Sequence, residues 1–169
     1  ASTIKLCLSA FPWASFRKKR GGIKLHMLLD HDGYIPAFLR ITNARKHESK
    51  LAETLKLPKG SIVAFDKGYN NYQWFRTLVE TSVHFVTRQK KNASYKVIKR
   101  RQVTKRQGVT SDLEILVKFR SHAVRLRRVG YHDRETGKHY VFLTSHFTLS
   151  AKTIAEIYKE RWQIEIFFR

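Results

Sequence analysis

The run Ser61-Ile-Val-Ala-Phe65 is apolar at every position after its first residue, and it stops abruptly at Asp66-Lys-Gly68. A strand this short, with no polar alternation, reads as one buried on both faces. A sheet containing such a strand needs helices to cover it, which points to an α/β architecture. The flanking segments supply them. His47 to Leu55 reads as a short helix with Leu51 and Leu55 on its apolar face, ended by Pro58-Lys-Gly60. Asn71 to Glu80 reads as a second helix with Phe75, Leu78 and Val79 turned inward.

Strands precede and follow this unit. Ser2 to Leu8 alternates and is rich in branched residues, Phe11-Pro-Trp13 breaks it, and Phe16 to Gly22 reads as a basic loop. Ile23 to Leu29 and Tyr34 to Thr42 read as two more strands around the turn signal Asp30-His-Asp-Gly33. Val83 to Thr87 makes a fifth strand that ends at Arg88. Three meandering strands, then helix, strand, helix and strand, imply a mixed sheet flanked by helices. This is the element order of the RNase H-like fold.

From Gln89 to Thr148 the texture changes. Basic clusters alternate with apolar residues, and Leu113 to Phe119, His122 to Tyr131 and His139 to Thr144 read as strands. No helix signal occurs in this stretch, which is expected to be a β-rich insertion. Ser150 then reads as the N-cap of a helix running from Ala151 to the end. The expected organisation is therefore a core over residues 1–88, a basic insertion over 89–148, and a core helix over 149–169.

Charge narrows the function. Lys plus Arg number 34 against 13 Asp plus Glu, a formal net charge of +21. Such self-repulsion calls for a polyanionic partner. Nucleic acid fits better than a membrane, because no amphipathic lysine-rich helix and no apolar stretch approaching about 20 residues is present. The single cysteine, Cys7, excludes an internal disulfide framework and fits a reducing compartment. None of the 8 histidines shows zinc-ligand spacing.

Two places could carry chemistry. Asp66, just past its strand and followed closely by Gly68, falls at the carboxyl edge of the sheet, where ligands and metals collect. Alone, it reads more readily as a carboxylate capping a turn. In the terminal helix Tyr158, Arg161 and Glu165 fall within roughly 60° of one another at helical spacing. They form either a phosphate-and-metal surface or a solvated face with one ion pair. Two carboxylates from separate elements, Asp66 and Glu165, are the minimum a hard-cation site for phosphoryl chemistry needs.

At this point the residues match a known pattern. Tyr158-x-x-Arg161-x-x-x-Glu165 resembles the signature of the IS4-type DDE transposases. Ser2 to Ala14 resembles the first motif block of that family, and Val63-Ala-Phe-Asp66-Lys-Gly-Tyr69 the second. Phe85 to Arg88 and Tyr140 to Ser145 resemble further blocks, in order. The resemblance implies an RNase H-like core interrupted by a β-strand insertion. It implies a triad of two aspartates and a glutamate holding two divalent ions, Mg²⁺ or alternatively Mn²⁺. Asp66 would be the second acid and Glu165 the third. The first is expected immediately before Ala1, and a signature lysine seven residues beyond Glu165, so both ends read as truncated. Arg88, Tyr158 and Arg161 would contact DNA, and Tyr140 aligns with an aromatic that stacks on a base. A homodimer acting on transposon ends and target DNA in the bacterial cytoplasm, at the nucleoid, is the implied setting. A nuclease or resolvase on the same fold, and a non-catalytic DNA-binding remnant, are the competing readings.

Overall fold

A computed structural model describes residues 2–6, 15–17, 20–33, 35–45, 47–103 and 107–161. Cys7, Phe11-Pro-Trp13 and Glu165 lie outside the described residues. The described residues fall into two compact units, one within residues 2–51 and the other within 52–161.

The first unit carries an antiparallel sheet. Strand β3 (Arg20–Leu29) pairs with β1 (Ser2–Leu6), β2 (Ser15–Arg17) and β4 (Pro36–Asn43). The expected turn joins β3 to β4. Asp30 N donates to Ile35 O over 2.9 Å, and Gly33 takes a φ of 79°, which glycine adopts without steric cost. Inside the sheet, His26 Nε2 lies 2.8 Å from Thr42 Oγ1, so two buried polar groups satisfy each other. Residues 16, 17 and 20–22, expected to belong to a basic loop, are instead strand, with Arg17 paired to Arg20. Backbone pairing makes a strand, and charged residues are tolerated at sheet edges, so composition misleads there. Helix α1 (Glu48–Ala52) is shorter than the sequence pattern suggests.

The second unit is a six-stranded mixed sheet in the order β5-β6-β10-β9-β8-β7. Strands β5 (Ile62–Phe65) and β6 (His84–Arg88) are parallel. The remaining pairs, involving β7 (Lys96–Arg100), β8 (Val109–Phe119), β9 (His122–Asp133) and β10 (Lys138–Thr144), are antiparallel. The hydrogen-bond ladder thus runs unbroken from β6 through β10 and β9 to β8 and β7. Among the described residues no helix is long and apolar enough to cross a membrane.

One helix covers each face. Helix α2 (Tyr72–Glu80) is capped by Asn71, whose side chain accepts from Gln73 N and Trp74 N. It lays Phe75 against Phe85 at 4.4 Å between ring centroids, and Trp74 against Phe65 at 4.7 Å. Trp74, not Val79, completes the buried stripe, and Val79 is 42% exposed. At about 100° per residue Trp74 and Leu78 fall on one side of Phe75 and Val79 on the other, beyond the covered arc. Ile62 is likewise 39% exposed, so β5 is fully buried only where Val63 and Phe65 meet α2. That corrects the expectation of burial on both faces. On the opposite face Val86, Val129, Phe142, Ile154, Ala155 and Tyr158 form one buried cluster beneath helix α3 (Ala151–Glu160). Ser150 caps α3, accepting from Thr153 N over 3.0 Å.

Strand β7 was not legible in the sequence. Its residues are mostly exposed and cationic, the composition of a protected sheet edge.

Candidate active site

The parallel pairing of β5 and β6 sets the site. Phe65 is in register with Thr87, so the next residues, Asp66 and Arg88, stand side by side at the carboxyl edge. Asp66 caps a single 3₁₀ turn (Lys67–Tyr69), with Oδ1 accepting from Gly68 N over 2.9 Å. Arg88 Nη2 donates to Asp66 Oδ2 over 3.3 Å. The carboxylate therefore both caps its turn and engages a partner across the strands.

Asn70 and Thr87 lock this geometry. Asn70 Nδ2 donates to Arg88 O over 2.8 Å. Thr87 Oγ1, fully buried, lies 2.8 Å from Asn70 Oδ1 and 2.9 Å from Phe65 O. Neither residue was singled out from sequence. Their partners lie 17 to 22 positions away, so no local pattern announces them.

Burial pushes the Asp66 carboxyl up, but the Gly68 N–H and the positive charges of Arg161 and Arg88 outweigh it. The net result lies below the ordinary aspartate value, so Asp66 is ionised at neutral pH. Tyr158 is 1% exposed, and among the described residues its hydroxyl has no hydrogen-bond partner. Two guanidinium groups lie over its ring, Arg88 at 5.8 Å and Arg161 at 5.3 Å from the centroid. Burial raises its pKa above the ordinary phenol value despite those cations, so it is a neutral donor.

Arg161 terminates α3 as its C-cap, close enough for its charge to act on Asp66. Tyr140, half-buried on β10, stacks on Phe142 at 5.9 Å, and Phe142 lies 5.0 Å from Tyr158. The fold thus gathers Asp66, Arg88, Tyr158 and Arg161 at one end of the sheet, with Tyr140 connected through Phe142.

A cleft of about 370 Å³ opens beside Asp66, lined by Lys67, Gly68, Gln89, Lys90, Lys91 and Asn92. The Lys90-Lys91 cluster is visible in the sequence. Its place at the site follows from the parallel pairing, which brings the segments after β5 and β6 together.

Such a surface suits a phosphate chain. Several cations surround one ionised carboxylate that is 35% exposed. A carboxylate has about four lone-pair positions, and each Asp66 oxygen holds one hydrogen bond, so it retains capacity for a hard cation. Among the described residues no group of three or more His, Cys, Asp or Glu side chains converges.

Residues 1–169 match the family described as Transposase DDE domain. Over 172 aligned residues the chain is 33% identical to the "Putative transposase y4zB" of Sinorhizobium fredii, an alignment covering 98% of this chain and 47% of that protein. It is 27% identical over 172 residues to the "Probable transposase for insertion sequence element IS5377" of Geobacillus stearothermophilus, covering 100% of this chain and 45% of that protein. The chain spans just under half the length of these curated relatives. With an ionised aspartate at the carboxyl edge of a mixed sheet and a match along its whole length, the chain belongs to the DDE transposase domain family.

Proposed function

We propose that the chain forms part of the catalytic core of an IS4-type DNA transposase, which cleaves insertion-sequence ends and transfers the strands to target DNA. The observation that carries this reading is the convergence of Asp66, Arg88, Tyr158 and Arg161 within one unit. Asp66 and Glu165 are the proposed ligands of Mg²⁺, with Mn²⁺ as the alternative. When bound, divalent ions of this kind activate an attacking oxygen and stabilise the leaving one in an in-line displacement.

The protein's own residues bind and orient. Asp66 stays charged because Gly68 N–H, Arg161 and Arg88 hold its carboxylate. Arg88 and Arg161 neutralise backbone phosphates, and Tyr158, whose hydroxyl is buried in this structure, would donate it to a phosphate oxygen only after a local rearrangement. Lys67, Lys90 and Lys91 extend the basic surface along the strand. Tyr140, stacked on Phe142, presents an aromatic face. Residues 1–88 and 149–169 would form the core and 89–148 the insertion. The full-length protein would act as a homodimer in the cytoplasm, at the nucleoid.

Strand-transfer assays on the full-length protein with marked ends test this. Wild type should give joined products with Mg²⁺. Asp66→Ala and Glu165→Gln should each abolish cleavage and leave DNA binding intact. Cleavage without joining would instead indicate a nuclease on the same fold, and persistence of cleavage in either variant would refute the ligand assignment.

A further inference from the structure

Helix α3 is held to the sheet at both ends by ion pairs that lie outside the candidate site. At its start, Arg127 of β9 forms a buried bidentate pair with Asp112 of β8. Nε donates to Oδ1 over 2.9 Å and Nη2 to Oδ2 over 2.7 Å, with side chains 3% and 6% exposed. The remaining nitrogen, Nη1, donates to Leu149 O over 2.6 Å and to His146 O over 3.3 Å. Arg101 Nη1 donates to Phe147 O over 2.7 Å. Three carbonyls of the segment leading into the Ser150 cap are thus fixed by arginines. At the other end, Lys159 Nζ pairs with Asp133 Oδ1 over 3.5 Å, and Asp133 is 2% exposed.

We infer that Arg127 and Asp133 are positioning residues, which fix the tilt of α3 and so the placement of Tyr158 and Arg161 over Asp66. This rests on the transposase reading of that site. The physical case has two parts. A buried ion pair is a costly way to stabilise a fold, and apolar residues of similar volume often do as well. An apolar side chain, however, cannot hold two loop carbonyls at defined distances. The second part is leverage. Tyr158 lies eight residues past Ser150, about 12 Å along the helix axis. A tilt of about 10° at the cap would move it by about 2 Å, and a misplacement of about 1 Å can cost about a hundredfold in rate.

The test compares Arg127→Met and Asp133→Asn with Leu126→Ala. Leu126 is fully buried on the same strand as Arg127 and, as its sequence neighbour, points to the opposite face, so this variant reports loss of core packing alone. Hydrogen exchange on the present chain should show α3 amides exchanging about tenfold faster in Arg127→Met and Asp133→Asn, with the β8–β9 ladder still protected. In the full-length protein, below all melting transitions, kcat for end cleavage should fall about tenfold with the half-saturating DNA concentration unchanged. Arg127→Lys, which keeps one donor, should recover part of kcat and serves if Arg127→Met does not fold. Exchange that rises uniformly across the sheet, or a kcat loss matched by Leu126→Ala at equal stability, would overturn the inference. If Asp66→Asn retained cleavage, the transposase reading would fail separately, and the exchange experiment would still decide what holds α3.

Discussion

Arg88 Nη2 donates to Asp66 Oδ2 over 3.3 Å, across two parallel strands that end at the same edge. Replacing Arg88 with Gln removes a positive charge and a donor from the carboxylate. The Asp66 pKa should then rise toward the ordinary aspartate value, read by carbon-detected NMR titration of the carboxyl. An unchanged titration would mean that Gly68 N–H and Arg161 suffice.

The same depression has a stability consequence. A carboxyl whose folded pKa is lowered contributes stability that is fully present above the unfolded value. It is lost as pH falls through the folded one. Asp66→Asn should flatten this acid-side loss in thermal melts. Because the side chain is 35% exposed and screened by solvent, the difference should stay under about 1 kcal/mol.

Tyr158→Phe separates packing from function. The hydroxyl is buried without a hydrogen-bond partner among the described residues, so its removal relieves a desolvation cost and should raise stability by about 1 kcal/mol. Tyr158→Ala should cost about 3–5 kcal/mol, since the ring is buried against Phe142. In the full-length protein Tyr158→Phe should still lower cleavage. A silent Tyr158→Phe would make the residue purely core.

The lysines of the cleft give a salt-dependence prediction. Changing Lys67, Lys90 and Lys91 to Gln together should reduce the slope of log affinity for duplex DNA against log salt by about 3. Fluorescence anisotropy between low and moderate salt reads this directly. An unaltered slope would remove these side chains from the DNA contact.

Some of this was readable from the residues alone. Asp66 stood out because an apolar run ends there, and Ser150 because its hydroxyl precedes a helical pattern. Tyr158 and Arg161 stood out from helical spacing, Arg88 and Tyr140 came from the resemblance, and the neighbourhood of all four is a product of sheet order. Asn70, Thr87 and Arg127 left no local signal. Their bonds join positions about 15 to 22 apart, and only the strand register sets those distances. Val79 and the β7 lysines misled for the converse reason. Periodicity does not report how wide an arc a helix buries, nor composition whether a basic segment pairs at an edge.

Sharing of one divalent-ion site by Asp66 and Glu165 is the central claim, and affinity cleavage tests it most directly. The full-length protein is loaded with Fe²⁺ in place of Mg²⁺ and treated with ascorbate and peroxide, and the peptide cuts are mapped by mass spectrometry. Cuts should cluster around both residue 66 and residue 165, and Asp66→Asn should suppress both clusters. Cuts near only one of them, or cuts near residue 165 that survive Asp66→Asn, would contradict it.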